Sequence, residues 1–364
     1  MRKGKICIVT AHFLRNYGSV LQAYALQRCL EKMGWDVTIL NYIPDIATPL
    51  SRSEKIKSRI VRVIKNDPLF SIKRKERSRK FQKFRNKYLH LTEQFTKIES
   101  ITSFVQTEAF YAVICGSDQI WNPNLYGGFN LVFFLEPIPV ESRCISYAPS
   151  IRVKSLKNSE SDTFRRLLDK FTAISVREKS SVQLLSKICD KPIEWVCDPT
   201  LLLSRTEWDS IKPKMRLPSS YGVVYEIYSD SELENFIKKS RNSYRFYNIS
   251  NNIDRINGAS NYFADIGPLE FISLISNASL VITNSFHCVV FCIIYNIQFV
   301  CFEQPNDDRV GSLLSFLGLS SRIVNNCDDA MSLMSSSDID FSEISERINS
   351  FSDRSKDFLT RALR

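Results

Sequence analysis

A histidine at the start of a predicted helix is the residue of this chain best suited to chemistry. Residues 280–283 (LVIT) predict a buried strand, Asn284 and Ser285 a polar loop, and the apolar run from Phe286 a helix with His287 in its first turn. That turn has free backbone N–H groups and the positive end of the helix dipole. It therefore suits an anion, which the imidazole can bind and protonate near neutral pH. The alternative is that His287 packs in the core.

Polar and charged residues near other predicted strands or helix starts are further candidates. Arg177 follows the strand ISV, and its guanidinium can clamp a phosphate or a carboxylate through two hydrogen bonds. Its alternative is a surface ion pair with Glu178. Arg309 lies in a polar loop and could close on a ligand or remain exposed. Ser285 could donate to an anion or only cap its helix.

Polar residues also follow predicted strands in the first half. His12 and Asn16 come after the strand at 5–10, and Asp118, Gln119 and Trp121 come after the apolar run AFYAVIC. Because parallel sheets bind ligands at the carboxyl ends of their strands, we expect these side chains near a ligand. A turn-forming role is the alternative for Asp118, and a core position is the alternative for Trp121.

The composition is that of a folded protein without secreted or membrane-spanning character. Hydrophobic residues make up 44% of 364 positions, with 24 Phe and 14 Tyr, which is enough for two cores. We expect neither a secretory leader nor a membrane span, because the apolar runs are too short for either. Ten cysteines are scattered without a CxxC pair. Scattered cysteines of this kind are typical of a cytoplasmic protein, which we expect here. Cys288 and Cys292 have no further ligands nearby, so we expect no metal site.

Positive charge is concentrated in residues 52–87. Fifteen Lys or Arg residues stand there against three acidic ones, whereas the whole chain carries +10, so the remainder is slightly acidic. This asymmetry indicates contact with a polyanion or with an anionic membrane surface, to which apolar residues at 60–64 could add. The alternative is a solvated helix that packs on the first domain through Phe81, Phe84 and Tyr88.

Strands and helices alternate along the chain, which predicts an α/β class with largely parallel sheets. Residues 5–42 predict a βαβ unit whose helix is capped by Ser19. A Pro- and Ser-rich stretch near the middle divides the chain. We expect an N-terminal domain at 1–205, with a basic helical insertion at 48–95, and a C-terminal domain at 206–364 that ends in a helix.

Several segments resemble the polysaccharide pyruvyl transferase family, and their order and spacing cover almost the whole chain. They are NYGSVLQAYAL at 16–26, GSDQIWNP at 116–123, SYAPS at 146–150, ISVREKS at 174–180, CDPTLLL at 197–203, IGPLEFISLI at 266–275, TNSFH at 283–287, and Asp308-Arg309 with LLSFLGL at 313–319. The resemblance implies two Rossmann-like domains that face each other across a cleft, in a GT-B-like arrangement. It also implies that phosphoenolpyruvate gives its three-carbon unit to a sugar of a capsule or exopolysaccharide precursor, forming a pyruvate ketal and releasing phosphate.

By this resemblance the donor phosphoenolpyruvate is bound in the second domain and by Arg177. The residues implied are His287, Arg177, Asn284, Ser285 and Arg309, with His287 as phosphate ligand or proton donor. The donor carries a phosphate and a carboxylate and therefore needs fixed cations and backbone donors. Its C3 must take up a proton before a sugar hydroxyl attacks C2, which requires a general acid. The chemistry needs no metal and no other cofactor.

The first domain would then bind the acceptor sugar. We assign His12, Asn16, Gln119 and Trp121 to acceptor binding, with Trp121 stacking on a sugar face, and Asp118 to activation of the sugar hydroxyl. The resemblance implies an acceptor oligosaccharide linked to a lipid at the inner face of the membrane. Residues 52–87 could hold the enzyme near that surface.

Two other functions stay open at this point. A GT-B-type glycosyltransferase would use a nucleotide sugar, and His287 would then contact a diphosphate. A non-catalytic adaptor would bind membranes or polyanions through residues 52–87. The His, Arg and Asp residues at strand ends favour a transferase, because an adaptor has no need of them. We expect no nucleic-acid partner.

Overall fold

A computed structural model shows two α/β domains, each built on a parallel sheet; it describes residues 3–44, 68–139, 141–250, 256–304, 308–335 and 338–364. The first sheet has the strand order β3-β2-β1-β4-β5-β6-β7. Its strands are β1 Lys5–Val9, β2 Asp36–Tyr42, β3 Leu91–Phe95, β4 Ala112–Cys115, β5 Arg143–Ser146, β6 Phe171–Val176 and β7 Ile193–Trp195.

The second sheet has the order β10-β9-β8-β11-β12-β13 and is also parallel throughout. Its strands are β8 Gly222–Tyr225, β9 Phe246–Ile249, β10 Asn261–Phe263, β11 Leu280–Thr283, β12 Phe299–Phe302 and β13 Ile323–Val324. The predicted α/β class with parallel sheets is confirmed.

Helices cover both sheets. They are α1 Tyr17–Lys32, α2 Pro68–Tyr88, α3 Ile98–Glu108, α4 Asn158–Leu168, α5 Lys179–Leu185, α6 Arg205–Asp209, α7 Ser231–Ser240, α8 Pro268–Ser276, α9 Phe286–Tyr295, α10 Asp308–Leu317, α11 Cys327–Met334 and α12 Ser342–Ala362, with 3-10 turns at Pro199–Leu202 and Ser320–Arg322. No helix in the described part of the chain is both long and apolar enough to span a membrane.

Strand order reverses once in each sheet, and this determines where a ligand can bind. In the first sheet the reversal lies between β1 and β4, and in the second it lies between β8 and β11. Loops that leave the carboxyl ends of such strands diverge and leave a crevice between them. The segments carrying His12 and Asp118 leave the first crevice, and the segment carrying His287 leaves the second.

The two domains pack directly on each other near the start of α1. Tyr17 stacks on Phe271 of α8, with ring centroids 4.3 Å apart and an interplanar angle of 8°. The Tyr17 hydroxyl donates to the carbonyl of Ile266 at 3.4 Å. One apolar cluster includes buried residues of both domains, so the interface continues the cores instead of separating them.

Helix α2 carries the described part of the basic segment and contacts both domains. Phe81 and Phe84 are buried, and Phe84 packs against Tyr24 of α1 at 6.0 Å between ring centroids. On the other side, Lys80 pairs with Glu270 of α8 at 3.0 Å. The predicted aromatic contact with the first domain is therefore present, and the helix reaches the second domain as well. Residues 45–67, which include the apolar stretch at 60–64, lie outside the described residues.

Arg77 of α2 is buried between the domains and bonds to both. Its guanidinium donates to the carbonyl of Ser250 at 3.2 Å and to that of Arg15 at 3.1 Å, and lies 4.9 Å from the centre of the Tyr17 ring. The family resemblance gave no reason to expect an inward-facing arginine in a segment of so much positive charge. Arg77 therefore contributes to domain packing and not to an exposed basic surface.

The terminal helix α12 returns from the second domain to the edge of the first sheet. Phe351 packs on Trp195 of β7 at 4.6 Å between ring centroids, and the Ser355 hydroxyl accepts the N–H of Cys197 at 2.9 Å. Arg361 pairs with Glu194 at 2.7 Å. The boundary expected at 205/206 falls in the connection between the sheets, at the start of α6.

Two local predictions are wrong. Helix α1 begins at Tyr17, and its N-cap is Asn16, whose side chain accepts the N–H of Ser19 at 3.3 Å. The Ser19 hydroxyl instead donates to the carbonyl of Ala11, since the residue already lies inside the first turn. Residues 91–95, which we placed in the helical insertion, form edge strand β3 beside β2.

Candidate active site

A buried carboxylate, that of Asp198, is the centre of the candidate site. Asp198 follows β7 and caps the 3-10 turn, because one oxygen accepts the N–H of Thr200 at 3.0 Å and its hydroxyl at 2.6 Å. The other oxygen, Oδ2, lies 2.9 Å from Nη1 of Arg177 and 3.3 Å from the hydroxyl of Ser117. His287 of the second domain approaches the same Oδ2, with Nε2 at 3.4 Å.

These partners determine the charge of Asp198. Burial alone would raise the pKa of its carboxyl, but the nearby charge of His287, the guanidinium of Arg177 and the hydrogen bond from Thr200 hold that pKa well below its usual range. The carboxylate is therefore ionised throughout the physiological pH range. This fixed anion lies 3.4 Å from Nε2 of His287.

Arg177 is the first residue after β6, and its side chain is 2% exposed. Burial disfavours its charge, yet the carboxylates of Glu178, Asp198 and Asp118 raise the pKa of the guanidinium above its ordinary value. Nε bonds to Glu178 at 3.0 Å. Nη2 is buried and has no hydrogen-bond partner among the described residues, so it is available to a ligand.

His287 is the second residue of α9. Ser285 caps the helix, its hydroxyl accepting the N–H of Cys288 at 3.4 Å. The imidazole is only 7% exposed, and its Nε2, although near Asp198, has no aligned hydrogen-bond partner in the described part of the chain. The thiol of Cys288 is fully buried and belongs to the apolar cluster shared by the domains.

Three cationic or titratable groups meet around the ring of Phe286. The guanidinium carbon of Arg177 lies 4.6 Å from the ring centre and that of Arg309 lies 6.0 Å from it. The ring of His287 is 5.1 Å away, edge to face. Arg177 comes from the first domain and the other residues from the second, so the structure brings together the charged residues that we expected at the donor site.

A cavity of about 290 Å³ opens between the domains beside this group. Its charged lining residues are Arg152, Lys154, Lys187 and Arg309, with the carboxylates of Glu178 and Asp308. Four cations against two carboxylates favour an anionic ligand. The volume is near the lower limit for small-molecule sites, which fits a compact ligand.

The family model for polysaccharide pyruvyl transferases matches residues 16–306, which is most of the chain. This chain belongs to the polysaccharide pyruvyl transferase family. A search of the curated proteins gives no significant match.

Solved structures are similar in fold only. UDP-GlcNAc 2-epimerase from Methanocaldococcus jannaschii shares 12% identity, with 91% of this chain and 92% of that chain covered and a TM-score of 0.50. The glycosyltransferase SnogD from Streptomyces nogalater shares 10% identity, with 99% and 100% covered and a TM-score of 0.49. The expected GT-B-like arrangement of two Rossmann-like domains is confirmed, since the epimerase has that fold.

Asn284 and Ser285, the expected donor-binding residues in the loop between β11 and α9, form hydrogen bonds that stabilise that loop. The Asn284 side chain accepts the N–H of Ile227 at 2.8 Å and donates to the carbonyl of Tyr228 at 2.8 Å. It therefore ties the loops after β8 and β11 together. Ser285 is occupied as the cap of α9. Their direct contact with a donor stays a prediction.

The expected acceptor residues His12 and Asn16 are likewise bonded within the protein. The imidazole of His12 is fully buried, with Nδ1 3.1 Å from the carbonyl of Thr10 and Nε2 3.0 Å from the amide oxygen of Asn41. Burial lowers the pKa of His12 despite these bonds. Asn16 caps α1, as described above. Their contact with an acceptor stays a prediction.

Asp118 and Gln119 lie at the reversal point of the first sheet. Asp118 has a left-handed φ of 76°, its carboxylate accepts the N–H of Gln119 at 2.8 Å, and its carbonyl accepts the N–H of Ser150 at 2.9 Å. Asp118 therefore has the turn-forming role that was the alternative. Its negative charge also helps to raise the pKa of Arg177. The Gln119 amide oxygen accepts from Asn122 at 3.1 Å and from Arg152 at 3.4 Å.

The prediction that Trp121 stacks on a sugar face is wrong. The ring is fully buried in the core of the first domain and stacks on Phe134 with centroids 5.0 Å apart. Phe164 and Phe171 pack against it as well, and its N–H donates to the carbonyl of Phe133 at 3.1 Å. Stacking on a sugar needs an exposed ring face, which this tryptophan lacks.

Sequence reasoning assigned no role to Asp198, Ser117 and Arg152. Asp198 stands in the matched segment CDPTLLL directly after a predicted strand, which was the available indication. An Asp before Pro is typical of a turn, and its contacts with Arg177 and His287 depend on tertiary structure. Arg152 has a left-handed φ of 54°, and its guanidinium bridges the domains from Gln119 to the Tyr228 hydroxyl at 3.2 Å.

Proposed function

We propose that this protein transfers the three-carbon unit of phosphoenolpyruvate to a sugar of a cell-surface polysaccharide precursor. The product is a pyruvate ketal that bridges two sugar hydroxyls, and phosphate is released. One observation carries the proposal beyond family membership. The imidazole of His287 and the guanidinium of Arg177 converge from opposite domains on a single oxygen of Asp198. Such a set can bind an anion and transfer a proton in the same place.

The donor needs cations for both its phosphate and its carboxylate. Arg177 and Arg309 flank Phe286, and Arg152, Lys154 and Lys187 line the adjoining cavity. Guanidinium groups bind such oxygens in pairs, and the free N–H groups at the start of α9 add to the attraction. We propose that phosphoenolpyruvate binds in this cavity with its reactive carbons toward His287.

His287 is suited to be the general acid. In the proposed reaction its imidazolium gives a proton to C3, and C2 becomes electrophilic as the double bond is lost. A sugar hydroxyl adds to C2, phosphate leaves with its oxygen, and the second hydroxyl closes the ketal. Of the two hydroxyl protons, one restores His287 and the other leaves on phosphate. Asp198 stabilises the imidazolium and holds the ring, which places it behind the acid as a positioning residue.

The acceptor is proposed from the family and not from bound groups. We propose a sugar of a lipid-linked oligosaccharide, reached at the inner face of the membrane, with the exposed basic residues of α2 as a peripheral membrane contact. We also propose that the reaction needs no metal. Within the described residues no group of three or more His, Cys, Asp or Glu could hold an ion.

The test is phosphate release from phosphoenolpyruvate with a panel of lipid-linked oligosaccharides and soluble glycosides. We expect release only with an acceptor that offers a suitable hydroxyl pair, and a product whose mass corresponds to one added ketal. Release of a nucleoside diphosphate from a nucleotide sugar, with phosphoenolpyruvate inert, would identify a glycosyltransferase instead. The variant Asp198→Asn serves as the matched control in the same assay. It keeps the shape of the site and removes the negative charge of this side chain.

A further inference from the structure

Gly18 and His287 touch across the domain interface. A Cβ atom added to Gly18 would lie 2.0 Å from Nδ1 of His287, 2.3 Å from Cγ and 2.5 Å from Cε1. Real Cβ atoms essentially never come within 3.0 Å of another heavy atom in such contacts. The imidazole therefore occupies the space that any side chain at residue 18 would need.

The backbone gives no other reason for a glycine here. Gly18 is the second residue of α1 and is absent from the residues with positive φ, so any amino acid could adopt its conformation. Alanine is the better helix former, and glycine carries a cost in a helix. The sequence has a glycine, despite this cost, at a position of α1 that contacts His287 of the other domain.

The ring of His287 has little room to retreat from an added methyl group. Its Nε2 lies 3.4 Å from Oδ2 of Asp198, which is itself fixed by Thr200, Arg177 and Ser117. The imidazole thus lies between the backbone of α1 and this carboxylate. Both positions depend on the first domain, whereas the ring belongs to the second.

We propose that Gly18 is a positioning residue for the reaction. Its missing side chain allows His287 to pack on the first turn of α1 and to reach Asp198, so that the pair forms across the domain interface. The link to catalysis rests on the function proposed above, whereas the contact itself does not.

A double-mutant cycle tests the contact without an activity assay. Gly18→Ala should lower the melting temperature of the full chain, because the methyl group collides with the imidazole. In the His287→Ala background the same substitution should have no effect or raise the melting temperature, since the collision is gone and alanine favours the helix. An equal loss in both backgrounds would overturn the proposal.

Two further readouts separate positioning from mere packing. The chain has three histidines, so the Hε1 resonance of His287 can be assigned by its loss in His287→Ala, and it should shift in Gly18→Ala. Turnover of Gly18→Ala should fall at least about 100-fold, as expected when a general acid is displaced. Gly311→Ala, a matched change in helix α10, should keep turnover within about threefold of the wild type.

The outcomes are distinguishable from failure of the proposed function. If phosphoenolpyruvate is not the donor, the melting temperatures and the resonance shift keep their predicted pattern. If Gly18→Ala turns over normally, or leaves the His287 resonance unmoved, Gly18 does not position the ring.

Discussion

His287 Nε2 lies 3.4 Å from Asp198 Oδ2, although the two residues belong to opposite domains. The pair therefore joins the two domains at the candidate site. Asp198→Asn should lower turnover at least about 100-fold, because the neutral amide no longer supports the imidazolium. His287→Gln should do the same. Steady-state kinetics checks both, and a shift of the pH–rate profile in Asp198→Asn is the sign that the residue acts through His287. Unchanged kinetics in both variants would exclude the pair from the mechanism.

Arg177 should prove essential to both stability and turnover. Removing its side chain in Arg177→Ala leaves the buried carboxylates of Glu178 and Asp198 without their guanidinium partner, which costs about 3–5 kcal/mol of folding free energy. Arg177→Lys keeps the charge and loses the paired hydrogen bonds, so we expect a milder loss of stability with at least a 100-fold loss of turnover, in the approximate range for a lost anion clamp. Thermal unfolding and kinetics on the same samples separate the effects. A fully active Arg177→Lys would remove the guanidinium from the donor site.

Folding stability should depend on the protonation of His12. Burial lowers its pKa in the folded state, so the unfolded chain binds the proton more tightly. Stability is therefore complete above the unfolded pKa, near 6.5, and declines as pH falls toward the lowered folded value. The free energy of unfolding measured by urea titration at about pH 7.5 and 5.5 should show this loss. His12→Gln, which keeps a polar side chain, should reduce it; the same pH dependence in both proteins would assign the effect to other groups.

Exposed cations of α2 should govern any binding to membranes. Arg74, Lys75 and Arg79 are exposed, whereas Arg77 and Lys80 are engaged between the domains. Changing the three exposed residues to Gln should weaken co-sedimentation with anionic vesicles, by an amount that falls as salt rises. The matched control neutralises three exposed cations elsewhere, at Lys214, Lys238 and Arg241. If the wild type does not co-sediment with anionic vesicles at low salt, the described part of the basic segment has only the structural role shown by Arg77 and Lys80.

Turnover should survive chelation. The proposed proton transfer and anion binding use side chains alone, so dialysis against EDTA should leave the rate within about twofold of the untreated enzyme. The measurement is phosphate release before and after dialysis, with added Mg²⁺ and Mn²⁺ as the control. Loss of activity that a divalent ion restores would overturn the metal-free mechanism.

The sequence predicted the parallel sheets because buried parallel strands are nearly continuous apolar runs, such as AVIC at β4 and LVIT at β11. It also placed Arg177 and His287 at strand ends. It could not predict that Asp198 contacts both residues, because that contact depends on how the two domains pack against each other. It misjudged Trp121 because an indole after a strand fits a ligand or a core equally well. The buried position of Arg77 could not be predicted, because many other cationic residues surround it in the sequence.

Helix α12 has a consequence for the synthesis of the chain. Trp195, at the edge of the first sheet, is covered by Phe351, and the N–H of Cys197 is bonded by Ser355. Domains of nascent chains generally fold in order from the N-terminus as they leave the ribosome. Here the first domain lacks the cover of its last strand until α12 has emerged. Helix α12 must therefore be synthesised before the segment that carries Asp198 gains these contacts, and a ribosome stalled short of α12 would hold a first domain whose edge strand is uncovered.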